Sequence, residues 1–166
     1  MLDKSNGIFF LLIIYIKCTH QNYRFLPNFV LYLVHKMSSN KTYIPPIYFG
    51  DSAYYQLEKY LNYKNFSKIA IIVDNNTKTL CLPFFKKNIK KVHDFIVIET
   101  KSGEKYKSIK SSINIWKNLI KYELDRKSLI INLGGGLITD IGAFVASTFK
   151  RGIEFINIPT TLLGMV

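Results

Sequence analysis

The run "NLGGGLITDIGAFVASTFKRGIEFINIPTTLLGMV", Asn132 to Val166, decides how this chain is read. The apolar stretch "SLII" leads straight into it, and three consecutive glycines separate that stretch from a helical pattern over about Leu137 to Phe149. Glycines between a strand and a helix let backbone N–H groups approach an anion, and the helix N-terminus adds partial positive charge. A pyrophosphate suits that place, but a tight strand-to-helix turn without a ligand has the same local sequence. The spacing is not Gly-x-Gly-x-x-Gly, and no Gly-Lys-Ser/Thr follows the glycines. Asp140 falls in the first turn of the helix, where a carboxylate favours the helix dipole with or without a function.

Working outward, short apolar runs alternate with segments of helical period. "YIPPIYFG", Tyr43 to Gly50, carries two prolines, which restricts it to an edge strand. Asp51 or Ser52 is placed to cap a helix with apolar positions at Ala53, Leu57, Tyr60 and Leu61. "KIAIIVDNN" is a β-branched run ending in turn residues, the signal of a buried strand. A short helix is expected over Thr79 to Asn88, with Pro83 confined to its first turn. "HDFIVIET" reads as a strand, and "IEFINI" as another that closes at Pro159. Between them, Ile109, Ile113, Trp116, Leu119 and Ile120 predict a helix that buries that stripe. The alternation implies an α/β fold, a parallel sheet with covering helices, whose ligands bind beyond the carboxyl ends of the strands.

Four polar clusters fall at those ends: "DNNT" at Asp74, "TKSGEKYK" at Thr100, "GGGLITD" at Gly134 and "PTT" at Pro159. Asp74 is suited either to accepting ribose hydroxyls or to a plain helix cap. Glu104 and Lys107, three apart, either face one ligand or form an exposed charge pair worth very little. Each cluster alone is matched by a purely structural reading. Their joint placement at successive strand ends favours a ligand.

The chain has 166 residues, 48% of them apolar, enough for one packed domain. Its formal charge of +12 raises the question of an anionic partner. The lysines are dispersed in short clusters with no nucleic-acid-binding motif and no interleaved aromatics, so solvated faces are expected and no nucleic-acid partner. Two cysteines without metal-type spacing suit a reducing, cytoplasmic compartment. Residues 1–37 differ in character. "GIFFLLIIYIKC" is too short to span a membrane, which needs ~20 apolar residues. It is either a signal-peptide core or a leader ahead of a true start at Met37, and we expect the leader, with the domain running over residues 38–166.

Taken together, "VDNNT", "SGEKYKS" and "GGGLITDIGAFVASTFKRGIEFINIPTTLLGMV" resemble the 3-dehydroquinate synthase family from about Tyr43 to Val166. Leu137, Arg151 and Thr161 favour that branch over the metal-dependent alcohol and glycerol dehydrogenases of the same superfamily. The resemblance implies a Rossmann-like NAD-binding domain, followed in the family by a helical domain holding a divalent metal, zinc or cobalt. In the shikimate pathway the family converts a seven-carbon sugar-acid phosphate to 3-dehydroquinate by eliminating phosphate and closing the ring. By resemblance, Asp74 and Asn76 would hold the adenosine ribose, and Glu104 and Lys107 the cofactor further along. Gly135, Gly136 and Leu137 would meet the pyrophosphate, Asp140 the nicotinamide ribose, and Thr160 and Thr161 the adenosine side. Arg151 would reach the substrate phosphate of the neighbouring subunit, which implies a homodimer.

Some positions depart from the family pattern. Leu137 replaces a usual Val, and Gly164 a usual Ala. Gly142-Ala143-Phe144 stands for the usual Ala/Thr-Gly-Phe, and Thr139 stands where Gly is common and is expected to narrow the pyrophosphate approach. The family's Asp-Ser-Ser-x-Gly-Gly-Lys, its metal ligands and its helical domain have no counterpart, and His20, His35 and His93 match none of them. The sequence thus reads as an N-terminal portion of such a synthase, inactive alone and without a metal site. Another sugar-phosphate cyclase of the family, or a non-catalytic NAD-binding remnant, fits the same residues.

Overall fold

The computed structural model describes residues 10–12, 47–48, 50–89 and 94–161. Over these, six strands form one sheet: β1 (Phe10–Leu12), β2 (Ile47–Tyr48), β3 (Ile69–Asp74), β4 (Phe95–Thr100), β5 (Leu129–Gly134) and β6 (Glu154–Pro159). Their order is β2-β1-β6-β5-β3-β4, and every pair is parallel. The helices are α1 (Gly50–Lys64), α2 (Asn75–Leu80), α3 (Leu82–Asn88), α4 (Ile109–Lys121) and α5 (Gly136–Thr148). The α/β fold expected from the sequence is the fold observed.

The central strands β3 and β5 are buried at all six positions, as their continuous apolar runs require when both faces are covered. Odd-numbered residues such as Ile71, Val73, Ile131 and Leu133 pack with Leu57 and Leu61 of α1 and Phe85 of α3. Even-numbered ones, Ala70, Ile72 and Ile130, pack with Ile115 and Leu119 of α4 and Ile138, Ile141 and Val145 of α5. This period of two builds two cores on one sheet. Strand β2 lies at one edge, where the prolines before it are tolerated. Phe10–Leu12, inside the stretch expected to be a leader, pairs with both β2 and β6.

Three local expectations need correction. Helix α1 already begins at Gly50, with φ +59°, so Asp51 and Ser52 sit in its first turn rather than ahead of it. The helix expected over Thr79 to Asn88 is two helices broken at Cys81, with Pro83 in the first turn of α3. The buried stripe of α4 is Ser111, Ser112, Ile115 and Leu119, whereas Ile109, Ile113 and Ile120 are 60%, 40% and 63% exposed. Small serines allow close approach, and the Ser112 hydroxyl meets its own hydrogen-bonding need on Ser108 O at 3.3 Å. Trp116 remains part-buried and donates to Val145 O at 3.3 Å, tying α4 to α5.

Candidate functional site

The chain leaves β3 toward β4 on one side, while β5 continues to β6 on the other. The crevice between the carboxyl ends of β3 and β5 is therefore the point where strand order reverses, the ligand-binding position of open parallel sheets. Asp74 ends β3 and Gly134 ends β5. The α5 helix starts from Gly135 with no side-chain cap, whereas Asp74 caps α2 and Ser108 caps α4. Ile138 N and Thr139 N donate to Gly135 O at 2.9 and 3.1 Å, and the N–H groups of Gly136 and Leu137, ahead of them, have no acceptor within the helix. Thr160 N donates to Gly134 O at 2.9 Å, which brings "PTT" beside the glycine turn. A Cβ on Gly135 would stand 3.0 Å from Thr161 Cγ2 and 3.1 Å from its Oγ1, so a larger residue there requires the exposed Thr161 side chain to give way.

Asp74 is buried, and its cap is a box. Oδ1 accepts from Asn76 N at 2.9 Å, Thr77 N at 2.8 Å and Thr77 Oγ1 at 3.2 Å, while Asp74 N donates to Thr77 Oγ1 at 3.0 Å. The purely structural reading of Asp74 is thus present, and it uses one carboxylate oxygen. Asn76 is exposed, and its Oδ1 accepts from Asn75 Nδ2 at 3.1 Å. Asn75 was missed in the sequence. Its Oδ1 accepts from Ser102 N at 2.8 Å, clamping the loop after β4 to the end of β3. A second asparagine after a strand-ending aspartate is the only signal for it.

Glu104, Lys107 and Asp140 come together. Lys107 Nζ lies 2.6 Å from Asp140 Oδ2 and 3.4 Å from Glu104 Oε1, bridging the loop after β4 to the first turns of α5. The hydrogen bond to Asp140, then that to Glu104, raises the Lys107 pKa above its ordinary 10.5, so the ammonium is charged at neutral pH. The charges line the rim of the crevice and are exposed. Thr139 does not narrow the turn. It is buried, and its hydroxyl donates back to Gly136 O at 3.1 Å and Gly135 O at 3.3 Å.

Arg151 is not part of this cluster. It is exposed, with φ +71°, in the short 3-10 turn Phe149–Arg151 just before β6. A thirteen-residue helix spans about 20 Å, which places Arg151 near the amino ends of the strands, at the opposite end of the sheet from Gly135. Among the described residues, no group of three or more His, Cys, Asp or Glu is placed to hold a metal. His20, His35, His93 and Cys18 lie outside the described residues, and Cys81 is a buried thiol. No described helix is long and apolar enough to cross a membrane.

Residues 97–166, from β4 through the glycine turn to the end of the chain, match the family described as 3-dehydroquinate synthase N-terminal. Over these residues the chain belongs to the 3-dehydroquinate synthase family. It is 40% identical over 111 residues to the 3-dehydroquinate synthase of Parabacteroides distasonis, a match covering 67% of this chain and 31% of that protein. It is 42% identical over 100 residues to the 3-dehydroquinate synthase of Clostridium acetobutylicum, covering 60% of this chain and 28% of that one. The chain thus spans about a third of the length of these relatives. A structure of 2-deoxy-scyllo-inosose synthase with carbaglucose-6-phosphate, NAD+ and Co2+ shares the fold. It has a TM-score of 0.58 and 23% identity, covering 64% of this chain and 30% of that one.

Proposed function

We propose that residues 38–166 form the NAD-binding part of a 3-dehydroquinate synthase, a phosphate-eliminating lyase acting on a seven-carbon sugar-acid phosphate. The observation that carries this reading is the uncapped N-terminus of α5 at the switch point, walled by Gly135 and Thr161 and rimmed by Lys107. That cradle fits a pyrophosphate, because bare N–H groups and a fixed cation match its charge. In this reading Gly135, Gly136 and Leu137 donate from the backbone, and Thr160 and Thr161 close the adenosine side. Asp74, through the oxygen that takes no part in the cap, and Asn76 accept ribose hydroxyls. Asp140 and Glu104 orient Lys107 and meet the nicotinamide ribose. NAD, when bound, supplies a hydride acceptor for the substrate alcohol.

The zinc or cobalt of the complete synthase finds no donor set among the described residues, so no step through a metal is assigned to them. Arg151, at the amino ends of the strands and away from the glycine turn, serves a substrate phosphate only in a neighbouring subunit, which makes the working form a homodimer in the cytoplasm. The 166-residue chain by itself is proposed to bind NAD weakly and to make no product. Titration calorimetry with NAD and ADP tests the site. Binding of both, abolished by Gly135→Val, is expected, and identical affinity in wild type and variant removes the assignment. Phosphate release from the sugar-acid phosphate, with NAD and zinc or cobalt present, above a metal-only control would overturn the proposed inactivity.

A further inference from the structure

Asn132 lies on β5 two residues before the glycine turn, on the face covered by α5, and is fully buried. Its Nδ2 donates to Asn157 Oδ1 of β6 at 2.8 Å. Its Oδ1 has no hydrogen-bond partner among the described residues. A buried carbonyl without a donor opposes folding, so something else must fix this side chain in place. Across the interface is Gly142, in the second turn of α5. A Cβ on Gly142 would stand 1.9 Å from Asn132 Oδ1, 2.2 Å from its Cγ and 2.6 Å from its Nδ2. The asparagine amide fills the volume a side chain at 142 would take, and a Cα hydrogen of Gly142 faces the oxygen, a weakly favourable contact.

We propose that Asn132 and Gly142 are a matched large–small pair that sets how closely α5 seats on β5, making Asn132 a positioning residue for the glycine turn. This rests on the reading of that turn as the pyrophosphate site. Gly142 is six residues from Gly136, about 9 Å along the helix axis. Relieving a 1.9 Å contact to ordinary van der Waals distance requires α5 or the asparagine to move by more than about 1 Å. Asn132 is enclosed by strand and helix and held by Asn157, so the helix moves. Hydrogen bonds from its first amides to an anion tolerate only a few tenths of an ångström.

The test uses the isotopically labelled 166-residue chain as wild type, Gly142→Ala and Asn132→Ala/Gly142→Ala. Amide resonances of Gly135, Gly136 and Leu137 are recorded without ligand, and affinities for NAD and adenosine are measured in parallel. Gly142→Ala is expected to displace those three resonances and to weaken NAD binding at least about tenfold, while adenosine affinity changes little. The double variant is expected to return both toward wild type. Unmoved amides in Gly142→Ala, no restoration in the double variant, or an equal loss for adenosine and NAD would overturn the pairing. Should Gly142→Ala fail to fold, a folded double variant with wild-type-like amides supports the pair and an unfolded one refutes it. If wild type binds no NAD, the pyrophosphate reading falls, while the ligand-free amides still decide the pair.

Discussion

At the end of β3, Asp74 places all of its cap bonds on Oδ1, so cap and ligand use separate atoms of one carboxylate. Substitutions can therefore divide the two roles. Asp74→Ala should lose the cap, costing about 0.5–2 kcal/mol, and should also weaken NAD binding about two- to tenfold. Asp74→Ser keeps a capping oxygen, so its unfolding free energy should stay close to wild type while NAD affinity falls as in the alanine variant. Thermal melts and calorimetry on the same samples check this; wild-type affinity in Asp74→Ser would leave Asp74 with the cap alone. Lys107 gives a prediction in pH. Its raised pKa means that its charge, and any stability it contributes, is fully present below pH 10.5 and lost only as pH rises beyond that value. NAD affinity should then show no titration from Lys107 between neutral pH and about 10, and a break in that window that disappears in Lys107→Arg would contradict the assignment. At this scale the sequence marked Asp74, Lys107, Asp140 and the glycines, because strand ends and motif spacing identify them. It could not show that Lys107 bridges to Asp140 across more than thirty residues, nor that Asn132 needs Gly142. Such partners are chosen by packing, and a lone asparagine in an apolar strand was the only trace.

Helix α4 shows how periodicity finds an element while misplacing part of its buried face. Ile109, Ile113, Trp116, Leu119 and Ile120 recur at helical steps, and of these the core takes Leu119 and part of Trp116 but not the three isoleucines, because Ser111 and Ser112 let the helix approach and Ile115 fills the space beside Leu119. A hydrophobicity pattern weighs serine as outward-facing and so sets the stripe too far toward Ile109, Ile113 and Ile120. The two stripes make opposite predictions. Ile115→Ala should cost about 2–5 kcal/mol, as for a buried large-to-small change. Ile120→Lys should stay within about 0.5 kcal/mol of wild type, as for an exposed site. Chemical denaturation of both variants decides between the stripes, and a large loss in Ile120→Lys would restore the sequence-based phase. At the other end of the sheet, Asp125 joins the turn before β5 to Ser67, which donates to Oδ1 at 2.5 Å, with Ser128 Oγ at 3.0 Å and Lys127 N at 2.8 Å. The Ser67 bond is the leading cause holding the carboxylate pKa below 3.8, so its contribution is present above that pH and lost as pH falls through the folded value. Asp125→Asn should therefore lose stability at pH 7 and show a shallower acid limb below about pH 4.

Across the whole molecule, the order of strands and the covering of both faces follow from the alternation of apolar runs, and the family resemblance falls where the best-buried strands meet their loops. The boundary at residue 38 belongs to this scale. Every described residue of the two cores lies at Ala53 or beyond, with Tyr48 packed against one of them. Of the first 37 residues those described are Phe10–Leu12, whose backbone pairs with β2 and β6. Burial of apolar side chains supplies most of the drive to fold, whereas a net backbone hydrogen bond contributes only about 0.5–1.5 kcal/mol. We therefore propose that residues 38–166 are the folding unit. Removing residues 1–36 should leave a cooperative thermal transition and the amide pattern of the glycine turn intact, with a modest drop in melting temperature from the lost pairing of β1. A non-cooperative melt, or loss of soluble protein on deletion, would show instead that β1 holds the β2 edge on the sheet and that the domain extends back to Phe10.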